Sequence, residues 1–240
     1  MQRFHKSFTG PSSGAGYHQM EGTFLASIPV VRQAPAIHEL SWQTIGICER
    51  IASVAILTAL SPLVAGSALA VAIVSRRSPF IAHRRVGWRG ETLWMIKLRT
   101  MWDAEPRSAS RWIERIGDGS YEDKDPADPR VPNWFARFCR RHSIDEIPQL
   151  WHVIRGHMSL VGPRPATAEE LRRYYGADTE EMLQVRPGMA GLWQISGRNR
   201  LTYTERKKLD LQYVRERSVR MYLKILLRTI PEVLTGANTW

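Results

Sequence analysis

Residues 51–74 are twenty-four consecutive positions without a charged side chain, rich in Ala, Leu, Val and Ile. As one straight helix they would run ~36 Å, enough to cross a hydrocarbon core of ~30 Å. Ser61-Pro62 falls near the middle. Pro62 cannot donate to the Thr58 carbonyl and its ring crowds that turn, so the spacing predicts a kink. The two limbs, 51–60 and 63–74, would each reach only ~15–18 Å, about half way through a bilayer. Arg50 precedes the segment, and Arg76, Arg77, Arg84, Arg85 and Arg89 follow it. Positive charge collects on the cytoplasmic side of a membrane, and here it stands at both ends. A helix-break-helix hairpin that dips in and returns accounts for this better than a kinked spanning helix or a buried core helix. The Ser61 hydroxyl can supply a hydrogen-bond partner at the break.

The rest of the chain is polar and basic. Thirty-four Lys and Arg residues stand against 23 Asp and Glu, for a net charge of +11 over 240 residues. Such a balance points to polyanions: nucleic acid, an anionic membrane surface or a phosphate-rich substrate. Nine tryptophans beside many arginines also fit a membrane interface. Two cysteines, Cys48 and Cys139, suggest neither a disulfide framework nor a metal cluster, and so a catalytic portion facing a reducing cytosol. The division read from these patterns is a mobile N-terminal tail over 1–44, a re-entrant membrane hairpin over 45–77 and a cytosol-facing domain over 78–240. The tail mixes Gly, Ser, Pro and His, shows no signal-peptide core, and leaves room for a short ordered piece near 23–31.

Past the apolar run, residues 78–96 read as strand, Gly-x-x-Gly turn and strand, a β-hairpin. Lys97 and Arg99 alternate beyond it on one face. Residues 103–128 are acidic and irregular, with a short helix expected at 111–116. An amphipathic helix follows at 133–142, with Trp134, Phe135, Phe138 and Cys139 expected on one side. It suits a helix in the headgroup plane or one facing a core. Residues 203–217 read as a charged helix. Residues 221–234 form a second helix that is interfacial or core-facing, bent at Pro231.

Between these lies Ser143-Ile144-Asp145-Glu146-Ile147-Pro148-Gln149-Leu150. Ser-x-x-Glu is a capping box, and acids favour any first helical turn. Pro148 argues against a cap at Ser143, because it would then sit past the first turn. A helix starting at or just after Asp145 tolerates the proline and leaves Asp145 and Glu146 at its mouth. Downstream, Gly162-Pro163-Arg164-Pro165 restricts the backbone on both sides of one arginine, fixing a guanidinium fork suited to phosphate. The stretch from Arg186 through Gly191 and Gln194 to Arg198 is Gly-rich and carries a weak nucleotide-loop signal.

Taken in order, the sequence resembles the bacterial sugar transferases, the monotopic polyprenyl-phosphate phosphoglycosyl transferases. The elements are the apolar segment with Ser61-Pro62, His83-Arg84-Arg85-Val86-Gly87-x-x-Gly90, Lys97-x-Arg99-Thr100-Met101, Asp128-Pro129-Arg130, Ser143-x-Asp145-Glu146-x-Pro148-Gln149-Leu150, Met158-Ser159-Leu160-Val161-Gly162-Pro163-Arg164-Pro165, and Arg186-Pro187-Gly188. Within the family it is similar to galactose-1-phosphate transferases that initiate exopolysaccharide synthesis, notably over 191–198. It lacks the transmembrane helices that precede the catalytic part of larger members and so resembles the short form. Leu98 departs from the aromatic residue usual between the Lys and the Arg.

The resemblance implies a mainly helical α/β monotopic membrane protein. Its parts would be a re-entrant helix-break-helix anchor, interfacial amphipathic helices and a small cytosolic catalytic domain with a β-hairpin. It implies transfer of a sugar-1-phosphate, galactose ahead of glucose, from a UDP-sugar to undecaprenyl phosphate with release of UMP, at the bacterial inner membrane with the catalytic domain facing the cytoplasm. Asp145 is implied as the nucleophile, forming a phosphosugar–aspartyl intermediate, with Mg2+ beside it. Glu146 is the candidate for handling the acceptor's proton or assisting the metal. Arg164, Lys97, Arg99 and Arg198 are the phosphate-clamp candidates; Arg186, Gly191 and Gln194 form the nucleotide and sugar loop; Ser61 and Pro62 make the membrane break. A carboxylate attacking a diphosphate needs its charge screened, which a hard oxygen-liganded cation supplies. The competing readings are a non-catalytic membrane scaffold and a basic nucleic-acid-binding protein. The apolar run argues against the latter, and nucleic acid is not an expected partner. Nothing in the sequence sets the oligomeric state.

Overall fold

The computed structural model describes residues 37–101, 112–116, 134–197 and 200–236. Residues 1–36 of the expected tail with its 23–31 piece, most of the acidic stretch, the Asp128-Pro129-Arg130 motif and Arg198 lie outside them; residues 37–44, expected in the tail, open the first helix instead. The fold is mainly helical with two small sheets.

The apolar run belongs to α1 (Ile37–Ser75), a single helix that carries Pro62 inside it. This differs from the two separate limbs expected. The Thr58 carbonyl, deprived of its partner by the proline, accepts the Ser61 hydroxyl at 2.8 Å, so the helix assignment continues through the dipeptide. Burial divides α1 into three parts. Glu49 and Ser53 are buried near one end and Ser67, Ala68 and Val71 near the other, whereas none of residues 54–66 is buried. Trp42 and Ile45 pack with Val161, Tyr213, Tyr222 and Ile225. Ala68 and Val71 pack with Leu98, Cys139 and Ile144. Both ends of α1 therefore rest on the domain while its apolar middle is bare. By length and composition, 41–75 is long and apolar enough to cross a membrane.

The hairpin forms as the alternation predicts. β1 (Phe80–Val86) pairs antiparallel with β2 (Thr92–Leu98), with Phe80 opposite Leu98 and Val86 opposite Thr92. The turn uses left-handed backbone at Arg89 and Gly90. The helix expected at 111–116 is instead a strand, β3 (Ile113–Ile116), parallel to β1. An Ile-Glu-Arg-Ile tetrad is too short to close a stable helix on its own, and the open edge of β1 supplies its hydrogen bonds. Leu93 and Met95 seat the hairpin on Val153 and Met158.

Helix α2 (Trp134–Arg141) turns Ala136 and Cys139 inward but leaves Trp134 and Phe138 exposed, so the four apolar residues expected on one side are split between two faces. After a 3-10 turn (Ile144–Gln149) come α3 (Leu150–Ile154), closed at Gly156 in left-handed backbone, and β4 (Ser159–Val161). Next are α4 (Ala168–Glu170), with a Thr167–Glu170 capping box and a π-turn through Tyr175, and α5 (Thr179–Met182). β5 (Gly188–Ala190) pairs parallel with β4.

Helices α6 (Leu192–Ile195), α7 (Tyr203–Glu216) and α8 (Val219–Thr235) complete the described chain. α8 is both things the sequence allowed. Tyr222 and Ile225 face the core, while Leu223, Leu227, Ile230 and Leu234 form an exposed apolar stripe. Glu49 ties the foot of α1 to this framework. Its Oε1 accepts from the Ser159 hydroxyl at 2.5 Å, the Leu160 N–H at 2.9 Å and the Tyr222 hydroxyl at 2.7 Å.

Candidate active site

Asp145 and Glu146 occupy the first turn of the 3-10 segment. Ser143 enters it in left-handed backbone (φ 54°), and its side chain makes no capping bond. The Glu146 N–H instead reaches the Ser143 carbonyl at 3.0 Å. The capping-box bond is thus absent, but the segment opens at Ile144 with Ser143 in the cap position, earlier than the start at or after Asp145 that the proline argument predicted. Pro148 is its fifth residue, carried in a 3-10 turn rather than an α-helix. Ile144 anchors the turn in the core, leaving Asp145 7 % exposed.

The surroundings of Asp145 come from three elements. Cys139 of α2 lies close enough that the Asp145 charge helps push its thiol up to about 11, burial being the larger cause and the Ser67 hydroxyl of α1 pulling the other way. The carboxylate therefore stands near the second half of the membrane-length helix. Lys97 of β2 donates to Glu146 Oε1 at 2.7 Å, joining two residues 49 positions apart. Both partners are partly exposed, so this pair contributes about 1 kcal/mol or less to stability.

A basic cluster converges on the same hairpin. His83 is pushed down to about 4, first by burial and then by Arg85, Lys97, Arg99 and Arg164. It is neutral at pH 7, and its Nδ1 has no hydrogen-bond partner among the described residues. Three of the four proposed phosphate cations thus surround one neutral imidazole. An arriving phosphate dianion would make that ring easier to protonate. His83 stands opposite Met95 and two residues from Arg85 on β1; in the sequence it was one member of a family motif with no role of its own.

The cations differ in availability. Arg99 is 3 % exposed, with Nε on the Ser78 carbonyl at 2.8 Å and Nη2 on Glu114 at 2.5 Å. It fastens β2 to β3 and would have to leave Glu114 to hold a phosphate. Arg164 is held by its backbone. The Gly162 N–H donates to Ala190 O at 2.8 Å and the Gly188 N–H to Pro163 O at 2.9 Å, locking the two proline-rich motifs together. A Cβ on Gly162 would stand 2.5 Å from the Arg186 carbonyl, and one on Gly188 would collide with the Gly162 amide. Gly191 and Gln194 lie beside Gly162 on this side. The Arg186 guanidinium does not join them; it sits over Trp88, against Gly46 of α1.

Sequence reasoning missed Asp210, an acid on the charged helix α7. It is 1 % exposed, accepts the Tyr175 hydroxyl at 2.9 Å and takes the Arg164 backbone N–H. Burial pushes its carboxyl up to about 7, outweighing the Tyr175 hydroxyl and both Arg164 contributions. An acid with a raised folded pKa contributes stability below about pH 4 that is lost as pH rises toward 7. Asp210→Asn removes that titration. Its melting temperature relative to wild type is therefore expected to climb from pH 5 to pH 8, and a constant difference over that range contradicts the assignment.

Among the described residues no three His, Cys, Asp or Glu side chains are placed to hold a metal. Mg2+ commonly uses one or two carboxylates and fills the rest of its shell with water and substrate phosphate. Asp145 fits that pattern, with Glu146 able to assist once it turns from Lys97.

Residues 42–236 match the bacterial sugar transferase family. The exopolysaccharide production protein ExoY of Sinorhizobium fredii is 40 % identical over 189 residues, covering 77 % of this chain and 82 % of that one. The UDP-glucose:undecaprenyl-phosphate glucose-1-phosphate transferase of Caulobacter vibrioides is 38 % identical over 200 residues, 79 % of this chain and 70 % of its own. The undecaprenyl-phosphate galactose phosphotransferase of Salmonella typhimurium is 38 % identical over 156 residues, 63 % of this chain and 32 % of its own.

Proposed function

The chain belongs to the bacterial sugar transferase family, and from that premise we propose that it is a phosphoglycosyl transferase moving a sugar-1-phosphate from a UDP-sugar to undecaprenyl phosphate. The observation that carries this reading is the position of Asp145, a buried carboxylate where the Lys97–Glu146 pair, the basic cluster around His83 and the membrane-length helix meet.

In the first step an Asp145 carboxylate oxygen forms a bond to the β-phosphorus, and the bond from that phosphorus to the oxygen bridging to UMP breaks. In the second, an oxygen of undecaprenyl phosphate attacks the sugar-bearing phosphorus, and the carboxylate leaves. Two displacements at one residue give ping-pong kinetics. Lys97 and Arg164 face the donor phosphates, with charge stabilisation as their role. Arg85, two residues from His83 on β1 and one of the charges acting on it, joins them. Glu146, held by Lys97, is placed to take the acceptor's proton. Mg2+, bound at Asp145 with substrate oxygens, would supply charge neutralisation.

The transfer takes place at the bacterial inner membrane, with the domain on the cytoplasmic face. Supporting this are the bare middle of α1 between two buried ends, which suits a helix that enters the bilayer and returns, and the exposed apolar faces of α2 and α8. Cysteines introduced one at a time at Thr44 and Arg76, in a Cys48→Ser background whose remaining Cys139 is buried, are expected to label from the cytoplasmic side only. Labelling from opposite sides would make α1 a spanning helix.

Galactose is the proposed sugar and glucose the nearest competitor, as the names of the relatives divide. Purified protein in bilayers with Mg2+ and undecaprenyl phosphate is expected to release UMP fastest from UDP-galactose. Release from no member of a UDP-sugar panel would leave a non-catalytic scaffold.

A further inference from the structure

Most ion-paired cations of the domain face a carboxylate directly: Lys97 with Glu146, Arg99 with Glu114, Arg172 with Glu169, Lys207 with Asp178 and Arg215 with Glu181. Arg50, Arg89 and Arg186 are different. Among the described residues none of the three makes an ion pair, yet they converge. The Trp88 indole lies between two of them, with the Arg89 guanidinium 4.2 Å and the Arg186 guanidinium 5.0 Å from its centroid. Arg186 Nη1 rests against Gly46, where a Cβ would stand 3.4 Å away. Gly46 is one turn before Arg50, so the two arginines share a face of α1. The Arg50 guanidinium fills the space a side chain at Gly156 would need. Arg186 is lowered from its ordinary value by burial and by the charges of Arg50 and Arg89, and its Nε is buried without a hydrogen bond. The acid whose charge acts on Arg186, Glu49, already accepts three hydrogen bonds at one oxygen. Three guanidiniums against one committed carboxylate call for an external anion.

The location identifies its class. Arg50 directly precedes the charge-free run, and the exposed side chains of Ile47 and Ile51 flank it. An anion held at Arg50 therefore lies beside apolar surface that the chains of an amphiphile can cover and a free phosphate cannot. Basic pockets beside membrane helices on the cytoplasmic side bind anionic headgroups, and tryptophan favours that depth. The charges that act on Arg186, with Arg50 and Arg89 among them, are not those that act on His83. We propose that Arg50, Arg89 and Arg186, with Trp88 between the last two, bind the phosphate of an anionic phospholipid headgroup at the foot of the apolar helix. This rests on the membrane placement argued above, not on the reaction assigned to Asp145.

The test uses the full chain in nanodiscs of phosphatidylglycerol and phosphatidylcholine in equal parts, followed by gentle extraction and mass spectrometry of retained lipid. Wild type is expected to keep phosphatidylglycerol over phosphatidylcholine. The Arg50→Gln/Arg89→Gln variant should lose that preference at least about fivefold, with UMP release in phosphatidylcholine discs unchanged. Where the double variant yields poorly, Arg89→Gln alone, at an exposed side chain, serves the same purpose. Arg155→Gln, which removes a neighbouring arginine that lies over Trp151 rather than Trp88, should retain lipid like wild type. Equal retention by wild type and variant overturns the proposal, as does an equal loss in Arg155→Gln. Displacement of phosphatidylglycerol by equimolar undecaprenyl phosphate would assign the site to the acceptor and overturn it too. Selective retention by a protein that releases no UMP would leave this site standing and remove the transferase reading.

Discussion

Asp145→Asn is expected to lower UMP release by at least about 10³-fold while leaving the fold and the membrane association intact. The amide has nearly the volume of the carboxylate, so the packing of a residue 7 % exposed is kept. It has no anionic oxygen to attack phosphorus, and nothing beside it replaces that oxygen. Glu146 is the adjacent carboxylate, but its Oε1 is held by Lys97 and its backbone by the Ser143 carbonyl. The apolar surfaces that seat the protein on a membrane, residues 54–66 of α1 and the outer stripe of α8, contain neither acid. Sedimentation with membranes and unchanged circular dichroism separate loss of chemistry from loss of structure. Turnover within tenfold of wild type would remove Asp145 as the nucleophile.

Gly188→Ala is expected to have the largest effect on stability, more than about 3 kcal/mol. Its added methyl would fall on the Gly162 amide, a backbone atom that cannot turn aside as a side-chain tip can. Relief requires β4 and β5 to separate, which breaks the Gly162–Ala190 and Gly188–Pro163 hydrogen bonds. Arg164 would then lose the fixed position that its two prolines and Asp210 provide. Loss of folded protein, or a melting temperature lower by ten degrees or more with strongly impaired activity, is the expected outcome. The matched control is Gly66→Ala, where a Cβ meets nothing within 4 Å. That exposed helical position should gain up to about 1 kcal/mol. Similar melting temperatures for Gly188→Ala and wild type would mean that the two motifs are not in close contact.

These expectations draw unequally on sequence and structure. The hairpin, the charged helix α7 and the turn at Asp145 were legible because each follows from local rules. Alternation set the strands, and the acidic pair with Pro148 marked a turn, although it opens at Ile144, earlier than the proline argument placed it. β3 was not legible, because residues 113–116 become a strand only by meeting the edge of β1 more than thirty positions earlier. The persistence of α1 through Ser61-Pro62 was half legible: the serine's compensating bond was anticipated, its sufficiency to carry the helix assignment through was not.

In the site, residue types were easier to read than their pairings. Lys97 and Arg99 looked alike in sequence, two positions apart on one strand. One reaches Glu146 and the other is taken by Glu114 and Ser78, partners that no spacing rule identifies. Arg186 looked like part of the glycine-rich loop, and its backbone is. Its guanidinium lies instead over Trp88 and against Gly46 at the foot of α1. Asp210 carried no local signal, since an acid on a charged helix is ordinary until its burial against Tyr175 is seen.

In the proposed reaction Asp145 carries the phosphosugar between donor and acceptor. The most direct measurement is a single-turnover reaction of the purified protein with Mg2+ and UDP-galactose, or UDP-glucose if the panel prefers it, in the complete absence of undecaprenyl phosphate. Stoichiometric UMP should appear, together with a hexose-phosphate adduct on the peptide containing Asp145 that undecaprenyl phosphate then discharges. UMP release that begins only when undecaprenyl phosphate is added, with Asp145 unmodified throughout, would contradict it.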